Sequence, residues 1–189
     1  MKVSNIVKHF HMICKHKRWV GYYCFKMGIP WRGIKHDMSK FSPVEFWEGV
    51  KYYKGTDSPI NECKRVNGWS KAWQHHKGRN DHHYEYFVDD FDHSGRALIM
   101  PFNCMLEMFC DYLGAGHAYM GKNFTYLDEQ KWWENKKAAP LKIHPVTKNC
   151  ITYGLAHCVA ENKIPTRATM KEVYYNELKN YAQQSNILY

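Results

Sequence analysis

The sequence predicts an all-α protein, a single-domain helical bundle, on three observations. Apolar residues recur at spacings of three and four in one segment after another. No segment alternates cleanly enough to argue for a strand. Serine, threonine and proline start signals and glycine stops fall where such helices should begin and end. At 189 residues the chain can build one sizeable core, and a hydrophobic fraction of 44% argues against extended disorder.

The spacing predicts a first long helix over 4–27, through Ile6, Phe10, Ile13, Val20, Cys24 and Met27, stopped by Gly28 and Pro30. Trp31 to Met38 makes a short helical turn. Ser42-Pro43-Val44-Glu45 supplies an N-cap serine, a proline at the first helical position and a capping-box glutamate for a helix over 43–53. The polar run 54–67 reads as a loop. A stripe then passes through Trp69, Trp73, His76, Asn80, His83 and Phe87, with Gly78 and Asn80 as points where it breaks into two helices. Met100-Pro101 opens a strong helix through Cys104, Met108, Asp111 and Ala115, which ends near Gly114-Ala115-Gly116 or at Gly121. Thr125 caps a helix carrying Trp132 and Trp133, and two more helices are expected over 147–160, capped by Thr147, and over 166–182. Tryptophans 31, 47, 69, 73, 132 and 133 are assigned to core packing by default.

No apolar run approaches the roughly 18 residues that span a bilayer, and the N-terminus lacks an apolar signal core. The expectation is a cytoplasmic protein with no membrane partner. Seven cysteines without a Cys-x-x-Cys pair read as small buried apolar residues in a reducing compartment. A net charge of +9 draws anions, so nucleotides, phosphate esters, nucleic acid and acidic proteins all fit, as does a solubilising coat.

The chemistry shows where polar residues interrupt apolar stripes: His16 on the first helix, His76 and His83 on the central one, Asp111 after Pro101. Burying such a group unpartnered costs a few kcal/mol. A shared metal would satisfy all four together, whereas a hydrogen-bonded core histidine is the plainer account of each alone. His36-Asp37 strengthens the metal account. At a helix end or irregular turn, for which Gly33 and Ser39 suit the chain, both side chains can reach one pocket, as imidazole and bridging carboxylate. On a helix His82 and His83 diverge by about 100°, so only one lies with His76. The stripe favours His83, and a restart at Asn80 as N-cap would favour His82. Glu107, one turn before Asp111, is either an acceptor for a ligand imidazole or a surface carboxylate. His9, His11, His93, His117 and His157 are read as surface or capping residues.

The order His16, then His36-Asp37-Met38-Ser39-Lys40, then Asp111 resembles the HD superfamily of metal-dependent phosphohydrolases, all-helical proteins marked by a His, a His-Asp doublet and a distant Asp. Lys40 matches the lysine three residues after the doublet's Asp in many members. The added histidines between doublet and final Asp resemble the cyclic-di-nucleotide phosphodiesterase branch, but its glycine-tyrosine-proline signature is missing after His83, where Tyr84-Glu85-Tyr86-Phe87 follows, so that substrate is not carried over.

A closer resemblance, over most of 10–150, is to an uncharacterised bacterial and phage family known only as a domain of unknown function. It rests on His16-Lys17 with Val20, on Gly28-Ile29-Pro30-Trp31-Arg32-Gly33, and on His36-Asp37-Met38-Ser39-Lys40-Phe41-Ser42-Pro43. Ala72-Trp73, Asn80-Asp81-His82-His83, Met100-Pro101, Glu107-Met108 with Asp111, Gly114-Ala115-Gly116 and His144-Pro145-x-Thr147 complete it.

The HD resemblance implies an HD-like metal-binding domain over 1–165, with 166–189 as a C-terminal helix packed on it or extending from it. It implies a first metal at His16, His36, Asp37 and Asp111, and a second, bridged by Asp37, at His76 with His83 or His82. Mn, Fe, Ni or Zn suit these ligands better than Mg. Asp37 and Lys40 would be catalytic, and Arg32, Lys40, Arg79 and Asn80 would hold the substrate, a nucleotide or other small phosphate ester. Two alternatives stay open: an HD-type di-iron oxygenase, and a nonenzymatic module that binds nucleic acid or protein around a structural metal or histidine cluster.

Overall fold

A computed structural model describes residues 3–89 and 95–185, so His93 lies outside it. The fold is all-α. The helices are α1 (Val3–Lys26), α2 (Pro30–Lys35), α3 (Pro43–Tyr52), α4 (Pro59–Asn67), α5 (Lys71–Lys77), α6 (Phe102–Met120), α7 (Tyr126–Ala138), α8 (Pro145–Glu161) and α9 (Arg167–Ser185). Short 3-10 turns cover Met38–Phe41, Tyr84–Phe87 and Gly121–Asn123, and β1 (Val88–Asp89) pairs antiparallel with β2 (Arg96–Ala97). Among the described residues no helix is long and apolar enough to cross a membrane.

α6 is the axis of the bundle. Every residue from Cys104 to Gly114 is buried, as a helix that is apolar nearly all round must be. α1 lies along one side of it, and α7, α8 and α9 cover others. α1 and α6 approach closely at Gly114, where a Cβ would sit 2.4 Å from Val20 Cγ2 and 2.9 Å from the Val20 backbone nitrogen. The glycine is there for that crossing and does not end the helix, which continues to Met120 and turns at Gly121, φ 59°. α9 places Met170 and Tyr174 in the same core, and the Tyr174 hydroxyl donates to the Met100 carbonyl at 2.7 Å.

Several local expectations change. The inward stripe of α1 runs through His9, Ile13, His16, Val20, Tyr23 and Cys24, while Phe10 turns outward against Phe41. The polar run 54–67 contains α4, begun by Ser58-Pro59 and ended by Gly68 at φ 78°. Its polarity hides it, since Glu62 and Cys63 are its buried residues. α8 is capped by His144, whose ring accepts from the Val146 amide, and Thr147 is buried inside the helix. Thr125 caps α7 as expected, accepting from the Asp128 amide at 3.1 Å. Of the tryptophans, Trp133 alone is fully buried, whereas Trp31 is 74% and Trp69 59% exposed. Six cysteines are buried and Cys14 is exposed. His9 is buried against Phe46 and Tyr53 and so is not a surface residue, while His117 is half-buried between Trp19 and Phe124.

Gly114→Ala should therefore lower stability by about 1–3 kcal/mol, because backbone as well as side chain must yield. A urea midpoint equal to that of the parent chain would refute the close crossing. Glu129 of α7 gives a pH test. Burial, and then the charge of Asp111, push its pKa up to about 8. A carboxyl whose pKa is higher folded than unfolded costs nothing below about pH 4.5, and a penalty grows as pH rises to about 8 and then stays constant. Glu129→Gln removes that penalty, so its stability relative to the parent should climb by up to about 4–5 kcal/mol between pH 4.5 and 8. Denaturation curves at both pH values measure this directly, and a difference that does not change with pH contradicts it.

Candidate metal centre

The His36-Asp37 doublet follows α2 without continuing it. His36 is extended (φ −48°, ψ 128°) and Asp37 is left-handed (φ 55°, ψ 24°). Aspartate tolerates that conformation better than most residues, at a cost of roughly 1–2 kcal/mol. The break turns two neighbouring side chains into one space. Lys17, one residue beyond His16, donates to the carbonyls of His36 and Ile34 and so ties the turn to α1.

Two groups of donor atoms meet there. His16 and His36 Nε2 lie 3.2 Å apart, each 3.2 Å from Asp37 Oδ2 and 3.0 and 3.4 Å respectively from Asp111 Oδ1. Asp37 Oδ1 faces the other group, 3.3 Å from His76 Nε2 and 3.4 Å from His82 Nε2, with His83 Nε2 2.9 Å from His76 Nε2. Atoms bound at about 2.1 Å to a common ion stand roughly 3.0–3.4 Å from one another in octahedral or tetrahedral geometry. Both groups therefore have the dimensions of a coordination shell, and the buried clusters could hold metal ions. Asp37 Oδ1 and His82 Nε2 are buried with no hydrogen-bond partner among the described residues. Lone pairs left in this way are costly unless a cation lies between them.

Carboxylates behind the rings fix their orientation. Glu107 Oε1 takes His36 Nδ1 at 2.8 Å and His82 Nδ1 at 3.2 Å, and Glu45 takes His76 Nδ1 at 2.7 Å and His75 Nδ1 at 2.6 Å. Burial opposes charge on Glu107, but bonds to His36 and His82 outweigh it and hold its pKa down at about 2. An ionised carboxylate can only accept, so the Nδ1 atoms carry protons and it is Nε2 that faces the centre, with a lone pair to offer once any proton there is displaced. Burial likewise opposes charge on Asp37, yet His36, Lys40 and His76 hold its pKa well below the usual carboxylate range. Burial first, and then the neighbouring imidazoles, push His83 well below the usual histidine value, which leaves it neutral and able to donate a lone pair.

Residues 5–157 match the model of DUF5662, a family of unknown function. The chain belongs to that family. Neither a curated protein nor a solved structure matches it. The DUF5662 span contains every donor atom described above, while α9 lies beyond it.

The structure of this DUF5662 chain brings together all seven residues expected at the metals: His16, His36, Asp37, His76, His82, His83 and Asp111. His82 and His83 both arrive, because α5 ends at Lys77 and they lie in an irregular segment where the 100° rule for a helix does not apply. Asn80 does not restart a helix. Its amide reaches Ser39 Oγ and the His76 carbonyl, both at 2.8 Å. Glu107 is the acceptor for two imidazoles. Glu45, expected as a capping-box residue, makes no cap bond and orients His75 and His76; neither Glu45 nor His75 was singled out for the site by the sequence.

The residues expected to hold substrate separate into two places. His16, Lys40, His76, His83 and Asp111 face a cleft of about 290 Å³. Arg32, Arg79 and Asn80 line another hollow behind His36 and His82, and Arg32 is already engaged by Asp81 and, at 2.5 Å, by Glu107. Arg32 thus braces Glu107. The cleft's other cations, Lys64 and Lys136, carried no motif.

Glu107→Gln and Glu45→Gln should each weaken divalent-metal affinity by about ten- to a hundredfold while the chain stays folded, since both act on the imidazoles from behind. Titration with Mn or Zn against a competing chelator measures the loss, and affinities equal to those of the parent would show that these carboxylates do not position ligands.

Proposed function

We propose that this protein is a metal-dependent phosphohydrolase, resembling the HD superfamily, that acts on a nucleotide or other small phosphate ester. The observation that supports this most is the division of Asp37, whose two oxygens face two separate groups of imidazoles beside a lysine-bearing cleft. Cations held there, with Mn, Fe, Ni or Zn suiting the nitrogen-rich donors, would supply Lewis acidity and bring the pKa of an attacking water toward neutrality.

The chain's own residues define the rest. His16, His36 and Asp111 would hold one ion and His76, His82 and His83 the other, with Asp37 between them. Lys40 Nζ stands 2.5 Å from Asp37 Oδ2 and lines the cleft, placed to take a nonbridging phosphate oxygen. Burial works against its charge, but Asp37 and Asp111 keep it protonated by raising its pKa. In hydrolysis, water oxygen forms the new bond to phosphorus as the ester oxygen departs, and the proton lost by water ends on that leaving oxygen. Glu107 and Glu45 keep the imidazoles aimed throughout.

Elemental analysis of natively purified protein should find about two transition-metal equivalents, and phosphate should be released from a panel of nucleoside phosphates with Mn. Asp37→Asn should lower that rate at least about a thousandfold without unfolding the chain. Turnover that survives the substitution excludes the proposal. Two irons with a mixed-valent signal and no phosphate release would favour oxygen chemistry at the same ligands.

A further inference from the structure

We propose that the cleft contains a second anion subsite, made by Lys64 of α4 and Lys136 of α7, which selects substrates carrying a second phosphate group beside the one cleaved. The cleavage part of this rests on the phosphohydrolase assignment, whereas the subsite itself does not.

Two half-buried ammonium groups converge on the cleft from separate helices, held by aromatic rings. Lys64 Nζ lies 4.3 Å from the centre of the Trp73 ring. Lys136 Nζ lies 4.9 Å from Trp132, 5.1 Å from Tyr112 and 5.5 Å from Tyr84, with the Tyr112 hydroxyl at 3.5 Å. Rings of this kind position a cation without neutralising it. Lys40, Lys54 and Lys137, by contrast, are paired with Asp37, Glu62 and Glu134. Among the described residues neither Lys64 nor Lys136 has a carboxylate within ion-pair distance. Glu85, which lines the same cleft, offsets part of their charge, and Asp111 and Glu45 are committed to the imidazoles. Burial lowers the pKa of both lysines against the opposing pull of Glu85, and Lys136 lowers that of Lys64 further.

The position relative to the centre decides what such a pair would recognise. Trp73 touches both Lys64 and a metal-facing ring, meeting His83 edge-on at 5.1 Å. The ammonium is therefore no more than about 10 Å from the His83 ring. One face of the indole is covered by Lys64, so a base does not stack there. Charge is what this wall offers. A lone alkyl phosphate at the metal-facing rings would leave that charge unmet, whereas a second phosphate carried on the same substrate would meet it.

The test compares Lys64→Met/Lys136→Met with the parent chain, as purified, by calorimetry with inorganic phosphate and with pyrophosphate. The parent should bind pyrophosphate at least about tenfold more tightly than phosphate, and the double substitution should erase that ratio. Lys64→Arg/Lys136→Arg should keep it, which separates lost charge from damaged packing. In turnover, KM for a nucleoside 3′,5′-bisphosphate should rise at least about tenfold in the methionine variant with kcat for the 5′-monophosphate unchanged. Loss of the binding ratio without turnover of any ester supports the subsite and sinks the hydrolase assignment alone. A ratio unchanged in the methionine variant overturns the subsite, whatever the enzyme hydrolyses.

Discussion

Asp37 brings two oxygens into a space that also receives five imidazole nitrogens and a second aspartate, and all but His83 of these side chains are buried. Lone pairs would oppose one another there at about the separation of coordinated ligands. Positive charge has to lie among them, whether as protons or as metal. The carboxylates behind the rings fix where that charge sits, since each takes an Nδ1 proton and turns Nε2 toward the centre. The centre is thus organised around positive charge held between the imidazoles and the two aspartates.

Helix packing makes that density of donors feasible. α1 and α6 cross closely because Gly114 presents no Cβ to Val20, and the crossing sets His16 one turn before Val20 on one helix against Asp111 just before Gly114 on the other. Glu107 lies one turn earlier on the same face of α6 and so reaches behind the rings that Asp111 meets in front. α3 brings Glu45 beneath α5 in the same way. Arg32 and Asp81 then hold Glu107 from outside. A centre braced by four segments of chain loses little side-chain freedom when an ion enters, which is how pre-organised sites gain affinity.

The cleft supplies direction. One face of the imidazole cluster, at His16, His76 and His83, opens on it, while His36 and His82 close the back. Its lysines differ in setting: Lys40 is paired with the central aspartate, and Lys64 and Lys136 rest on aromatic rings. A basic composition that fits many anions thereby acquires a specific geometry along one wall.

What the sequence by itself determined was the helical class, through apolar spacing, and the identity of the donors, because a histidine or aspartate set in an apolar stripe must be buried and a buried polar group must be matched. His16, His76 and Asp111 are legible for that reason, and His36-Asp37 because a doublet at a break can turn both side chains inward. Only the tertiary structure decided which groups share partners. His82 and His83 both reach the centre because the backbone leaves the helix before them, Glu45 and His75 become orienting residues because α3 packs on α5, and Arg32 is taken by Glu107 across 75 positions of sequence. α4 went unseen since its inward side is short and largely polar. Periodicity records which side of an element faces inward. It does not record what is waiting there, and distances between elements far apart in the chain arise only when the core closes.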